Sequence, residues 1–171
     1  MQHLLTFLST LAISCWLGGA ALFTFILTPK LFAACSRDQA GMIVGLLFPS
    51  YFRWGLACGA IALLCRLAGR GRFNLAMVLL LLAMLLLTAT QAYVIEPKAA
   101  AIKEQIASFE TTPKDDPFRA QFRKLHGLSM AANLAVIAGG VVLILLGSLS
   151  NTPSAGNNIS SQTRQDIEYR Q

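Results

Sequence analysis

Four long stretches of the chain are nearly free of charged side chains, at positions 4–28, 50–67, 73–95 and 127–149. A helix needs about 20 apolar residues to cross the hydrocarbon core of a bilayer. Of all 171 residues only 13% are charged, against about 25% in a typical soluble domain, and the mean hydropathy is +0.58. The sequence therefore predicts an all-α fold, an integral membrane bundle of four transmembrane helices.

The polar segments between and after these spans have patterns of their own. Residues 36–48 place apolar side chains at helical spacing, which predicts a separate surface helix that ends before Pro49. Residues 97–126 carry two apolar stripes on either side of the turn "TTPKDDP". We expect a protruding amphipathic helical hairpin there, between the third and fourth spans. Residues 150–171 are polar and aperiodic, which predicts a disordered tail.

Polar side chains collect at one end of the predicted bundle, which we call the mouth. In an antiparallel bundle the ends of the first and third spans meet the starts of the second and fourth. Ionisable and amide groups inside a span are costly and tend to face the bundle or a wet cavity. We therefore predict a ligand-binding pocket at the mouth, with Arg53 paired to Glu96. Its residues are Arg53, Gln91, Glu96, His126, Ser129 and Asn133.

Plainer roles stay open for the same side chains. Arg53 could extend to the membrane interface, His126 could bond a backbone carbonyl, and Gln91 and Asn133 could only link helices. His126 is the one candidate to hold a metal or an axial haem position, because His3 lies at the opposite face. The sequence has no recognisable set of catalytic residues, and no cofactor is expected from it beyond these options.

Small residues at helical spacing predict where the helices pack. In lipid, such rows let backbones approach closely, because apolar burial no longer drives association. A homo-oligomer formed through one of these rows is an open alternative. The predicted packing positions are Gly18, Gly19, Gly55, Gly59, Gly127, Ala131, Ala135 and Gly139.

Three phrases of the sequence occur together in a known group of proteins. "CWLGGAALFTFILTPKLF", "FPSYFRWG" and "FRKLHGLSMAANL", in this order, resemble motifs of the membrane-protein family typified by transmembrane protein 205, a domain of unknown function. The resemblance covers residues 5–149. It implies a four-helix membrane protein and supplies no reaction. Its motif positions include His126, Ser129 and Asn133 at the mouth.

These patterns favour a non-enzymatic membrane protein that binds a small ligand, an ion or a lipid headgroup at the mouth, in transport or metal handling. The alternatives are a haem- or metal-dependent redox protein that uses His126, and a scaffold that docks a protein partner through the hairpin. The formal charge of +6 lies in loops, where it favours orientation and contact with lipid rather than nucleic acid. Counting basic residues places the hairpin in the cytoplasm, and we expect a bacterial inner membrane as the location.

Overall fold

The computed structural model describes residues 1–69 and 75–150, with side chains as far as 148, and these residues form four long helices. Each helix is long and apolar enough to cross a membrane. This confirms the predicted all-α four-helix bundle, and the chain is a multi-pass membrane protein. The helices are α1 (Gln2–Ala34), α2 (Arg37–Ala68), α3 (Leu75–Lys103) and α4 (Pro117–Ser150).

The four helices form a ring in which each packs against two others. α1 contacts α2, α2 contacts α3, α3 contacts α4, and α4 returns to α1. Cross-links such as the hydrogen bond from Ser9 Oγ to the Ala62 carbonyl, 3.2 Å, join the start of one helix to the end of the next. Neighbours are therefore antiparallel. At the centre, Trp16 is 3% exposed, and Leu81 and Leu143 are 0% exposed.

Four of the predicted packing glycines lie at close contacts between helices. A Cβ atom built at each would come within 3.2 Å or less of a side chain on a neighbouring helix. The tightest is Gly59, where the added atom would lie 2.5 Å from Leu85 Cδ2 and 2.7 Å from the Trp16 ring. At Gly55, Gly59 and Gly139 the added atom would come closer than 3.0 Å, so a neighbouring side chain would have to shift to accept any larger residue. The four glycines are Gly19, Gly55, Gly59 and Gly139.

The other predicted packing positions face outward, which corrects that prediction. Nothing lies within 4 Å of a Cβ built at Gly18 or Gly127, and Ala131 and Ala135 are exposed. The reason is geometric. With 3.6 residues per turn, residues spaced four apart rotate around the helix axis by about 40° at each step. The row from Gly127 therefore starts on the outer surface of α4 and reaches the inner surface only at Gly139.

A single helix, α2, replaces the predicted surface helix and the second span. Ser36 begins it with a capping box, because its side chain accepts from the Gln39 backbone N–H at 3.2 Å while the Gln39 side chain accepts from the Ser36 backbone N–H at 3.3 Å. Pro49 lies inside the helix and does not end it. A proline there removes one backbone hydrogen bond, to the carbonyl four residues earlier.

Two short π-helical segments interrupt the mouth ends of α1 and α3, at Leu22–Leu27 and Gln91–Ile95. A proline, Pro29 or Pro97, follows each segment after one intervening residue. A proline ring has no N–H and crowds the carbonyl four residues before it, so the regular helical pattern fails there. The helix widens by one residue instead. Segments of this kind occur often at functional sites.

The connection between α3 and α4 differs from the predicted pattern. The helical part of α3 ends at Lys103, and residues 104–116 form turns before α4 begins at Pro117. Asp116 caps α4, since its Oδ1 accepts from the Arg119 N–H at 3.0 Å. Of the predicted tail, only Ser150 lies within the described residues, where it ends α4.

Candidate functional site

A layer of hydrogen bonds closes the bundle just below the mouth. Asn133 of α4 accepts a hydrogen bond from the Tyr51 hydroxyl of α2 and donates one from Nδ2 to Thr24 Oγ1 of α1, at 2.7 Å. One amide therefore joins three helices. Thr24 lies in the π-helical segment of α1.

A second cross-link lies beside the first. Ser129 Oγ of α4 donates to Gln91 Oε1 of α3 at 3.1 Å, and Gln91 is only 2% exposed. Gln91 begins the π-helical segment of α3. Three predicted mouth residues, Gln91, Ser129 and Asn133, are thus engaged in bonds between helices. They form a floor rather than free ligand-binding groups.

Above this floor lies a cavity of about 620 Å³, which we call the mouth cavity. Fourteen of its twenty-two lining residues are apolar or glycine, so the pocket is mainly hydrophobic where the sequence predicts a polar one. Phe52 and Ile95 line its inner end, and both are buried. Its walls come from α1 (Thr28, Phe32), α2 between Arg37 and Phe52, α3 between Ile95 and Lys103, α4 between Arg119 and Ser129, and Glu104 and Phe109 of the connection.

The basic side chains of the mouth cavity are partly held by the protein itself. Lys103 Nζ donates to the Gly41 carbonyl at 2.8 Å. A Cβ at Gly41 or Gly45 would lie 3.6 or 3.8 Å from that nitrogen, which is an ordinary van der Waals distance. Arg119 donates to the Thr112 carbonyl and its guanidinium lies over the Phe109 ring, 5.6 Å from the centroid.

The remaining predicted site residues separate into two sets. Glu96 and His126 line the mouth cavity, and the His126 ring stacks on Phe122 with centroids 6.0 Å apart. Arg53 does not line the mouth cavity. It is exposed on α2, and its Nε donates to the Pro49 carbonyl of its own helix at 3.1 Å. The predicted pairing of Arg53 with Glu96 is therefore wrong. Arg53 lies on the outer surface of the bundle, whereas Glu96 faces the cavity.

The connection at 104–116 is docked against the first turn of α2. Asp38 accepts from Ser108 Oγ at 2.6 Å and from the Phe109 backbone N–H at 2.7 Å. Next to it, Glu110 Oε1 accepts from the Arg37 backbone N–H at 3.1 Å. The Phe109 ring packs on Phe122 of α4, 5.0 Å between centroids. Because Phe109 lines the mouth cavity, Asp38 positions one of its walls.

Asp38→Asn is expected to loosen this connection. The hydrogen bonds from Ser108 and Phe109 lower the pKa of the Asp38 carboxyl below its ordinary value. A carboxylate with a lowered pKa stabilises the folded protein above its ordinary pKa, and the contribution is lost as pH falls through the lowered value. Hydrogen–deuterium exchange at residues 104–116 should be several-fold faster in Asp38→Asn at neutral pH. In the wild type the same acceleration should occur only in acid, after correction for intrinsic exchange.

Asp115→Asn is the matched control for this prediction, since Asp115 is an exposed carboxylate of the same connection. Its exchange should equal that of the wild type. Equal exchange in Asp38→Asn and Asp115→Asn would contradict the docking role of Asp38.

A metal site at the mouth gains no support from the geometry. Among residues 1–69 and 75–150, no three His, Cys, Asp or Glu side chains are grouped closely enough to hold an ion. His126 contacts the aromatic ring of Phe122 instead. The four cysteines are free thiols.

Several groups of the site have no clear signal in the sequence. Thr24 resembles any threonine of an apolar span, and Lys103 resembles any of the five lysines of the chain. Asp38 and Ser108 are 70 residues apart. The pair Gly41 and Gly45 has the small-residue spacing that predicts a helix contact, and this was the one available sign that something packs there. Its partner is an ammonium group rather than a helix backbone.

Comparisons with known proteins match most of the chain. The model of a family described as "Domain of unknown function (DUF4149)" matches residues 11–108, which include α1 to α3 except for the first turns of α1. An "Uncharacterized protein" of Aquifex aeolicus (strain VF5) is 35% identical over 138 residues, or 78% of this chain and 91% of that relative. No solved structure matches.

Proposed function

The chain belongs to the DUF4149 family, and we propose that it binds a membrane lipid or a similar amphiphile, with the apolar part of the ligand in the mouth cavity. The observation that carries this proposal is the hydrophobic lining of a cavity that also has charged groups within reach. Its volume of about 620 Å³ lies in the range of roughly 300–1,000 Å³ typical of small-molecule sites. A ligand with one apolar and one charged part matches such a lining.

The depth of the cavity supports a ligand taken from the bilayer surface. Trp54 and Tyr93 are 52% and 71% exposed and lie near the inner end of the cavity. Exposed aromatic residues of this kind are enriched at the level of lipid headgroups. Lys103, at the outer end, lies ten residues beyond Tyr93, about 15 Å by helical rise. The cavity therefore begins near the hydrocarbon boundary and extends through the headgroup zone.

Ala100→Trp tests the proposal, because Ala100 is an exposed residue of α3 that lines the cavity. An indole there would fill part of the mouth cavity without replacing a buried side chain. Binding of a fluorescent monoacyl lipid to the protein in mild detergent should weaken at least about tenfold, equivalent to about 1.4 kcal/mol. Fluorescence titration and native mass spectrometry give the apparent Kd.

The neighbouring residue provides the control. Ala101 is also exposed but does not line the cavity, so Ala101→Trp should bind the probe as the wild type does. If Ala100→Trp keeps full affinity, or if both variants lose it equally, the mouth cavity is not the binding site.

Three finer predictions from the sequence stay proposals. They are kinship with the family typified by transmembrane protein 205, a location in a bacterial inner membrane with the connection at 104–116 in the cytoplasm, and a role in transport. The three sequence motifs support the first, and the distribution of basic residues supports the second. Lipid binding at one membrane face is compatible with the third.

A further inference from the structure

We propose that the ligand is a zwitterionic phospholipid with a primary amine, such as phosphatidylethanolamine, and that Glu96 is the residue that selects its ammonium group. This inference rests on the proposed function, because it names the polar part of the same ligand. Three features of the mouth cavity support it: the Glu96 carboxylate without a hydrogen-bond donor among the described residues, the placement of the basic side chains, and an apolar opening on one side.

Glu96 is a half-buried carboxylate in a mainly hydrophobic cavity. Among the described residues, no side chain or backbone group donates a hydrogen bond to it. Neither of its carboxylate oxygens is a fully buried atom, so a ligand in the cavity can reach them, and a carboxylate can accept charge-assisted hydrogen bonds from an ammonium group. The free acceptor capacity at this depth therefore fits a ligand that brings its own N–H donors.

The three basic side chains that line the cavity, Arg37, Lys103 and Arg119, lie toward its outer end. Lys103 and Arg119 each use one donor on a backbone carbonyl of the protein. Arg37 is exposed, and within residues 1–69 and 75–150 its guanidinium has no such bond. A phosphate group suits these cations, since guanidinium binds phosphate through two parallel hydrogen bonds. The exposed carboxylate of Glu104 also lines this outer end, so the cations outnumber the carboxylates there by three to one. Glu96 is the carboxylate of the inner part, and this distribution matches a headgroup that carries both charges.

An apolar opening joins the cavity to the outer surface of the bundle. Phe32 of α1 and Met42 and Leu46 of α2 line the cavity and are nevertheless 45%, 57% and 74% exposed. Exposing large apolar side chains to water costs free energy, whereas contact with lipid does not. The opening therefore favours a lipid of the bilayer over a solute from the aqueous phase.

The chemistry separates three lipid classes. A primary ammonium group donates up to three hydrogen bonds to a carboxylate, whereas the quaternary ammonium of a choline headgroup has no N–H. A glycerol headgroup leaves the lipid with a net negative charge and no ammonium for Glu96. Loss of a hydrogen bond to a charged group costs roughly tenfold in affinity or more.

The test compares three monoacyl phospholipids that share one chain and differ in the headgroup: ethanolamine, choline or glycerol. Each is titrated into the full chain in mild detergent, and bound lipid is counted by native mass spectrometry. Wild type should bind the ethanolamine lipid about tenfold more tightly than the choline lipid. Glu96→Gln should bring the two within about twofold, and Glu96→Asp should restore part of the preference.

Asp115→Asn is the matched control, because Asp115 is an exposed carboxylate that does not line the cavity; it should keep the preference of the wild type. Glu104→Gln tests the other carboxylate of the cavity lining. The inference is overturned if wild type does not prefer the ethanolamine lipid, if the glycerol lipid binds best, or if Glu104→Gln alone removes the preference. Binding of all three lipids without selectivity would leave the proposed function intact. Binding of none would reject the proposed function itself.

Discussion

Gly59→Leu is expected to lower the free energy of unfolding by about 3 kcal/mol, the upper part of the range for overpacked cores. A Cβ atom at Gly59 would lie 2.5 Å from Leu85 Cδ2 and 2.7 Å from the Trp16 ring. Trp16 of α1 is 3% exposed and lies against Gly55 and Gly59 of α2, so it cannot move aside freely. The two helices must separate instead, and their dispersion contacts are lost along the interface. Unfolding by sodium dodecyl sulfate in mixed micelles measures the change.

Gly18→Leu is the control, because it introduces the same side chain at an exposed glycine in another transmembrane helix. Nothing lies within 4 Å of a Cβ at Gly18. The substitution should be neutral or slightly stabilising, since leucine favours a helix more than glycine does. Similar losses in both variants would show that glycine matters through helix flexibility and not through packing.

Asn133→Leu should destabilise the bundle by about 2 kcal/mol. The variant removes the bonds to Tyr51 and Thr24, and hydrogen bonds between membrane helices contribute roughly 0.6 to 1.7 kcal/mol each. It also leaves the two hydroxyl groups without this partner. The same unfolding measurement applies, with Ala135→Leu as control, because Ala135 lies on the exposed side of the same helix.

A double-mutant cycle separates the bond from the side-chain volume. Tyr51→Phe and Asn133→Leu each remove the contact between these two residues, so their combined effect should be smaller than the sum by about 1 kcal/mol. Strict additivity would mean that the Tyr51 hydroxyl does not interact with Asn133 in solution.

The transmembrane helices could be predicted because their signal is local. A long uncharged window has few stable alternatives in a bilayer, since backbone polar groups must be satisfied within the helix. The length of α2 could not be predicted in the same way. Pro49 is a strong stop signal in water, yet here it costs one hydrogen bond, and the capping box at Ser36 starts the helix earlier.

The site was harder to predict, because its contacts join distant parts of the chain. Gln91, Ser129 and Asn133 could be placed at one level by counting helical rise, but only the packing of the helices shows that they bond one another. Arg53 illustrates the opposite case. Its position inside the second predicted span suggests a buried charge, whereas its orientation on α2 places it on the outer surface. The hydrophobic lining of the cavity depends on how each helix is rotated about its own axis. The periodicity of the sequence alone does not determine this rotation.

The layer around Trp16 also sets which side of the membrane a bound molecule can use. The void beside it, between α1, α3 and α4, has no room for a water molecule. Above this closely packed layer, the hydrogen bonds of Asn133 and Gln91 join the helices. In this arrangement, a molecule in the mouth cavity would therefore meet close-packed side chains and bonds between helices below it. If the proposed function holds, such a chain would take up and release its lipid at one leaflet, and any transport would need a different arrangement of the four helices.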